Sequence, residues 1–238
     1  DFLAICQDNL PDVTKSKPDF CWFKARDATN NNLTVDSSRG GNKQLQPNLT
    51  NAELTQEDMI QKFLPGGYAV EDFVNLNQND LKFVSWNWVA NGGTTSANTD
   101  GSGATLASTI QANQTAGFSI VTYTGDATAG RKVAHGLSQA PDWLWITNRT
   151  ATSGSATGPK MYHHKNTAAP ETDYLALSTT DATYDAIFLN DTAPDAKCFT
   201  LGPTGYATNN NGSTYVAYCW HEVPGFSRFG SYTANDNG

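Results

Sequence analysis

The chain is short of charge, of basic residues above all, and of long apolar runs. Charged residues make up 16% of its 238, and Asp plus Glu (23) outnumber Lys plus Arg (15), for a formal net charge of −8. Nucleic acids and anionic membrane surfaces attract proteins with a basic footprint, which is missing, so neither is an expected partner. No apolar stretch approaches the ~20 residues of a membrane-spanning helix. The opening Asp1-Phe2-Leu3-Ala4 is neither an initiator nor a signal sequence, so the segment is expected to begin inside a longer protein.

Reactive side chains are scarce too. The four cysteines (Cys6, Cys21, Cys198, Cys219) lack the close pairing of a zinc site, and Cys21 and Cys219 sit in strand patterns, where a thiol packs as a small hydrophobe. Of the four histidines, His163 and His164 are adjacent, so on a strand they point to opposite faces; His135 and His221 stand alone. No nucleophile occupies a diagnostic turn, and no glycine-rich phosphate loop is present. Carboxylates cluster at Glu53 with Glu57 and Asp58, at Glu71-Asp72, and at Glu171 with Asp173. None has the facing arrangement that a glycosidase needs, and all read as solvated loop charge. Asp100-Gly101-Ser102-Gly103 and Asn235-Asp236-Asn237-Gly238 lack the alternating ligands of a calcium loop and read as turns. No catalytic residue, metal ligand or cofactor is expected, and no ligand-binding residue is identified.

What the chain does have is Asn, Thr, Ser and Gly around short apolar segments of strand character, with hydrophobic residues at 38%. No stretch shows helical apolar spacing over four turns, so the fold class is all-β. The pattern also repeats. Pro18-Asp19-Phe20-Cys21-Trp22-Phe23-Lys24-Ala25-Arg26 returns as Pro141-Asp142-Trp143-Leu144-Trp145-Ile146-Thr147-Asn148-Arg149, and Phe83-Val84-Ser85-Trp86-Asn87-Trp88 returns as Tyr215-Val216-Ala217-Tyr218-Cys219-Trp220. The offset widens slowly along the chain, as it does when a tandem duplication acquires loop insertions. Repeated strand units of roughly 100 residues suit structural or adhesive arrays. All six tryptophans (Trp22, Trp86, Trp88, Trp143, Trp145, Trp220) lie in the repeated strands, and all six are expected in the structural core.

These patterns predict two tandem β-sandwich repeats of jelly-roll or lectin-like type, joined by a polar Gly/Ser/Thr/Asn-rich linker. Residues 1–16 read as the tail of a preceding β domain, 17–90 as the first repeat, 91–116 as the linker and 117–224 as the second repeat. Gly225-Phe226-Ser227 and Ser231-Tyr232-Thr233 repeat Gly117-Phe118-Ser119 and Thr122-Tyr123-Thr124, so 225–238 reads as a strand leading out of the segment or into another unit.

The second repeat, from Thr115-Ala116-Gly117-Phe118 through Ala134-His135-Gly136-Leu137 and Pro141–Arg149 to Gly225–Thr233, resembles a repeat domain of large structural and fibre-like proteins of tailed, often marine, bacteriophages. The resemblance covers nearly the whole chain. The first repeat departs from the pattern between Gln56 and Val74, and Phe2–Pro11 looks like the last strand of a preceding SPRY-type module. It implies a non-enzymatic virion structural or adhesive protein at the particle surface: a fibre, appendage or decoration protein. Implied partners are other virion subunits, copies of itself (a trimer in the first instance) and a host-surface glycan. A carbohydrate-binding module of a larger glycan-active enzyme is the alternative.

Overall fold

The computed structural model describes residues 3–6, 16–90, 95–96, 102–150 and 158–235, with the backbone alone at 3–6 and 95–96. Strands account for 39% of the chain and helix for 3%, arranged in several antiparallel sheets.

The first half runs β1 (Leu3–Cys6), β2 (Phe20–Ala25), β3 (Leu33–Asp36), β4 (Gly40–Leu45), β5 (Leu54–Thr55), β6 (Ile60–Leu64), β7 (Gly67–Val70), a one-turn helix α1 (Val74–Asn77) and β8 (Phe83–Trp88). Its large sheet has the order β5-β4-β3-β2-β8, and a smaller one the order β1-β7-β6. Strand alternation sends Cys21, Phe23, Leu33 and Val35 to one face, where they meet Met59, Ile60, Tyr68 and Val70 in a core of their own. β1, which the sequence set apart from the first repeat, pairs with β7, Leu3 opposite Val70.

The second half runs β9 (Thr95–Ser96), β10 (Ser108–Asn113), β11 (Phe118–Thr124), β12 (Arg131–Ala134), β13 (Trp143–Asn148), β14 (Lys160–His163), β15 (Asp173–Tyr174), β16 (Tyr184–Asp185), β17 (Cys198–Leu201) and β18 (Thr214–Trp220). Its large sheet has the order β14-β13-β18-β11-β10-β9. The β12–β17 pair covers one face of that sheet through Val121, Leu144, Ile146, Phe199 and Leu201. β15 and β16 form a small hairpin, bridged to β14 where Met161 meets Leu175.

Two sequence expectations change here. Ser108–Asn113, placed in the linker, is a full member of the six-stranded sheet, with Ile110 buried. Its polar composition hid it: buried Gln111 is satisfied by Ser37 and Ser38 across the molecule rather than by water. The halves are also not separate beads on that linker. The opposite faces of the two large sheets close on one shared core, where Phe20, Leu45 and Ala90 pack with Phe118, Ile120, Trp145, Met161, Val216, Tyr218 and Trp220. The small first-half sheet, the two large sheets and the β12–β17 pair thus form a stack. At the far end, residues 225–235 form no strand, apart from a single bridge between Val223 and Ser227.

The same set of bonds occurs at corresponding places in the two large sheets. Phe20 lies opposite Trp88 and Trp22 opposite Trp86, as Trp143 lies opposite Trp220 and Trp145 opposite Tyr218. Asp19 N donates to Trp88 O at 2.8 Å and Asp142 N to Trp220 O at 2.8 Å. Ser37 N donates to Asp19 O and His164 N to Asp142 O, while Arg26 N bonds Lys82 O and Arg149 N bonds Thr214 O. The carboxylates follow suit: Asp19 Oδ2 accepts from Ala90 N at 2.9 Å and Asp142 Oδ2 from Glu222 N at 2.6 Å. The repeated Pro-Asp is therefore a pin, which ties the strand entry to the chain two residues past the facing tryptophan.

Candidate functional site

The aromatic layer between the large sheets centres on Phe20. Its ring lies 4.4 Å from Tyr218, 5.4 Å from Trp88, 5.9 Å from Phe118 and 6.1 Å from both Trp145 and Trp220. Trp143 stacks on Trp220 at 4.2 Å. Alternation delivers all of them to one face of their sheets, and tilted or edge-on packing suits their ring quadrupoles. Trp145 and Trp220 are buried, and Trp22, Trp88 and Trp143 are half-buried at the margin. Trp86, expected in the core with the rest, is 45% exposed. It lies on β8, the edge strand, beside Trp22, whose indole N–H donates to Asn32 Oδ1 at 3.0 Å.

An ionic cluster closes the same interface. The Arg39 side chain is fully buried, with Nε 2.5 Å from Asp36 Oδ2 and Nη1 2.8 Å from Glu53 Oε2. Arg149, from the other sheet, grips Glu53 with two bonds of 2.9 Å. The Tyr218 hydroxyl donates to Asp36 Oδ2 at 2.7 Å and accepts from Arg39 Nη2 at 3.0 Å. Burial alone would raise the Glu53 carboxyl pKa, but hydrogen bonds from Arg149 and the charge of Arg39 outweigh it, and the pKa is lowered. Burial likewise works against the charge on Arg39, yet Asp36, Tyr218 and Glu53 hold it firmly protonated. Burial pushes the Tyr218 phenol well above its usual range. Each charge here is satisfied by a partner, and two of the bonded residues come from the opposite sheet.

Two clefts flank this interface. One, of about 310 Å³, lies between the β7–α1 region and the β8 edge, lined by Phe23, Tyr68, Leu76, Phe83 and Ser85, with the amides of Asn77 and Gln78 at its rim. The other, an open groove of about 340 Å³, presents Thr109, Thr122, Thr124 and Thr214 beside Arg149. Hydroxyls and a guanidinium suit a polyhydroxylated ligand, whereas the first cleft suits an aromatic or aliphatic side chain.

The remaining sequence candidates are scattered. Glu57 and Asp58 are exposed, as expected of loop charge, but Glu53, grouped with them, belongs to the ionic cluster. His135 is buried and structural: Leu137 N–H donates to its Nδ1, which leaves Nε2 to donate to Asp195 O at 3.0 Å. His163 and His164 bring their rings within 5.4 Å of each other, and His164 Nδ1 sits 2.8 Å from Asp142 Oδ1. Cys21, Cys198 and Cys219 are buried; burial pushes the Cys219 thiol up to about 12. The Cys6 side chain, Asp100, Gly101 and residues 236–238 lie outside the described residues. Among the described residues, no group of three or more His, Cys, Asp or Glu side chains could hold a metal ion, and no helix is long and apolar enough to cross a membrane.

Sequence reasoning missed Arg39 and Arg149 entirely. Arg149 carried a signal, since it closes a repeated segment; Arg39, in a Ser-Ser-Arg-Gly turn, carried none.

A family model described as a domain of unknown function (DUF7483) matches residues 11–238, and the chain belongs to that family. No curated protein and no solved structure matches it.

Proposed function

We propose that this member of the DUF7483 family is a non-enzymatic structural or adhesive module of a tailed-phage particle, displayed at the virion surface as part of a fibre, appendage or decoration. The observation that carries this reading is the use made of the charged groups. Asp36, Arg39, Glu53 and Arg149 are engaged with one another in joining the two sheets, and Asp19 and Asp142 in pinning strand ends. Side chains committed in this way build a rigid display platform, and an Asn- and Thr-rich exterior is left for contact with virion neighbours or host glycans. The module is a tandem duplication of one β-sandwich unit, a reading supported by the matched register and bonds of the two large sheets. It acts as a homo-oligomer.

The test is a glycan-array and host-cell binding assay on the purified protein, alongside antibody labelling of intact particles by electron microscopy. Labelling on particles supports the reading, with saturable host binding assigning the adhesive form. Absence from particles overturns it.

A second reading, a carbohydrate-binding module, is favoured by one observation: exposed Trp86 offers an indole face of the kind on which a sugar ring stacks. Glycan binding that is lost in Trp86→Ala, in protein absent from particles, would select that reading.

A further inference from the structure

The two large sheets share three strands, β3-β2-β8 in the first half and β14-β13-β18 in the second, and they part company beyond the last of these. In the second half β18 is flanked by β13 and by β11, whereas its counterpart β8 pairs with β2 and ends its sheet. Along β18 the backbone groups of Tyr215, Ala217 and Cys219 face β11, in the phase fixed by the bonds from His221 N to Gly117 O and from Gly125 N to Ser213 O. The corresponding residues of β8 are Phe83, Ser85 and Asn87. Their backbone groups point away from β2, in the phase set by the bond from Arg26 N to Lys82 O. An open edge of this kind is a template for another strand.

The chain itself contains a second copy of the missing strand. Gly225-Phe226-Ser227 repeats Gly117-Phe118-Ser119 of β11, and Tyr232-Thr233 repeats Tyr123-Thr124 with one residue more between the blocks, the length of a bulge. Gly117 (φ 68) and Gly225 (φ 77) both enter through left-handed backbone. Yet Phe226 is 72% and Tyr232 92% exposed, and among the described residues the segment pairs with no sheet.

We propose that residues 225–233 of a second copy of this chain add to the β8 edge as the counterpart of β11. Phe226 lies opposite Trp88, as Phe118 lies opposite Trp220, and covers the exposed margin of the aromatic layer. Tyr232 lies opposite Phe83, as Tyr123 lies opposite Tyr215, where the rings stack at 5.0 Å. Tyr123 points into the second-half core; the same position beside Phe83 opens on the 310 Å³ cleft, which receives the Tyr232 side chain. Backbone pairing supplies affinity, and the two aromatic positions supply register. Donor and acceptor are different surfaces, so the contact is head-to-tail and builds chains or closed rings. Such pairing needs no particle context: it gives a geometry to the homo-oligomer proposed above and does not depend on placement at the virion surface.

The test uses full-length variants, with sedimentation from micromolar to millimolar concentration. The wild type should self-associate. Asn87→Pro, which removes an outward N–H from β8, and the double variant Phe226→Asp/Tyr232→Asp should each lose association and remain monomeric. Mixing the two restores one good edge and one good donor, so the mixture should stop at dimers. Should Asn87→Pro fold poorly, amide exchange in the wild type probes the same contact: Phe83, Ser85 and Asn87 should become protected as concentration rises. A monomeric wild type overturns the proposal. So does association that survives both variants, or protection of β8 independent of concentration, which would mean that the segment pairs within its own chain.

Discussion

Asp19 and Asp142 hold the same place in their two sheets and make the same bonds in different surroundings. Asp19 is fully buried, its Oδ1 shared by the Ser37 hydroxyl at 2.7 Å and the Lys17 ammonium at 2.9 Å. Asp142 is 21% exposed at its side chain, and an imidazole, His164, takes the place of the Ser37 hydroxyl. What is repeated is an acceptor at a fixed point; what varies is the donor that meets it. The first half locks its pin in the interior, the second leaves it at the surface. The first half should therefore depend more steeply on its buried charges.

The largest expected effect contrasts the two arginines. Arg39→Met leaves buried Asp36 without its cation and Glu53 with Arg149 alone, and removing one partner of a buried ionic group costs about 3–5 kcal/mol. Arg149→Met removes two bonds to Glu53 from a side chain 22% exposed, where solvent replaces part of what is lost, and should cost about 1–2 kcal/mol. Urea denaturation midpoints at constant m-value measure both. Equal losses would mean that the cluster does not distinguish interior from rim.

The pins come next. Asp19→Ala leaves the buried Ala90 N–H without its acceptor and the Ser37 hydroxyl with Gln111 Oε1 alone, for a loss of about 1–3 kcal/mol. Asp142→Ala exposes the Glu222 N–H to water and should cost at most about 1 kcal/mol. Thermal melts of the two variants side by side would read the difference.

Acid should reveal the histidines and the carboxylates in sequence. Burial lowers the His135 pKa, so the folded state keeps its imidazole neutral while the unfolded chain takes up a proton near the usual value of about 6.5. Its contribution is present above that value and fades as pH falls towards the lowered, folded pKa. Asp19 and Glu53, both lowered, contribute fully above the ordinary carboxylate values of about 3.8 and 4.5, and their share is lost at lower pH, through their folded values. Stability should thus decline in two steps, the first from His135 and His163 and the second from lowered carboxylates of both halves, Asp126 and Asp195 among them, each buried group limited to about 1.4 kcal/mol per pH unit. In His135→Asn the upper step should shrink to the share of His163, whose pKa burial also lowers, and the lower one should remain. A single step confined to the carboxylate range in the wild type would contradict the assignment.

Much of this contrast was legible in the sequence, but only its apolar part. The repeated aromatic segments marked β2, β8, β13 and β18 as strands, because period-two alternation and bulky aromatics leave few alternatives. The linker assignment failed at β10 because Gln111 is buried by bonds to Ser37 and Ser38, residues more than seventy positions away. Hydrophobic patterning cannot see a polar strand that is satisfied at long range. Glu53 was misjudged for the same reason: its partners Arg39 and Arg149 approach it only once the sheets have stacked.

The smallest effect is expected at the position where the halves differ most in burial. Trp86 and Tyr218 face Trp22 and Trp145 in equivalent register, yet Tyr218 is sealed between the sheets while Trp86 stands 45% exposed on an edge. Tyr218→Phe removes a hydroxyl that bridges Asp36 and Arg39 and should cost about 1.5–3 kcal/mol, the range for bonds to charged groups. Trp86→Ala removes far more surface but little buried contact, so it should shift stability by no more than about 0.5–1 kcal/mol. If the indole proves expendable for folding, a large exposed aromatic is being kept on an open strand for something outside the chain. If Trp86→Ala instead costs as much as Tyr218→Phe, the edge of the first sheet is as much core as the centre of the second, and the contrast between the halves disappears there.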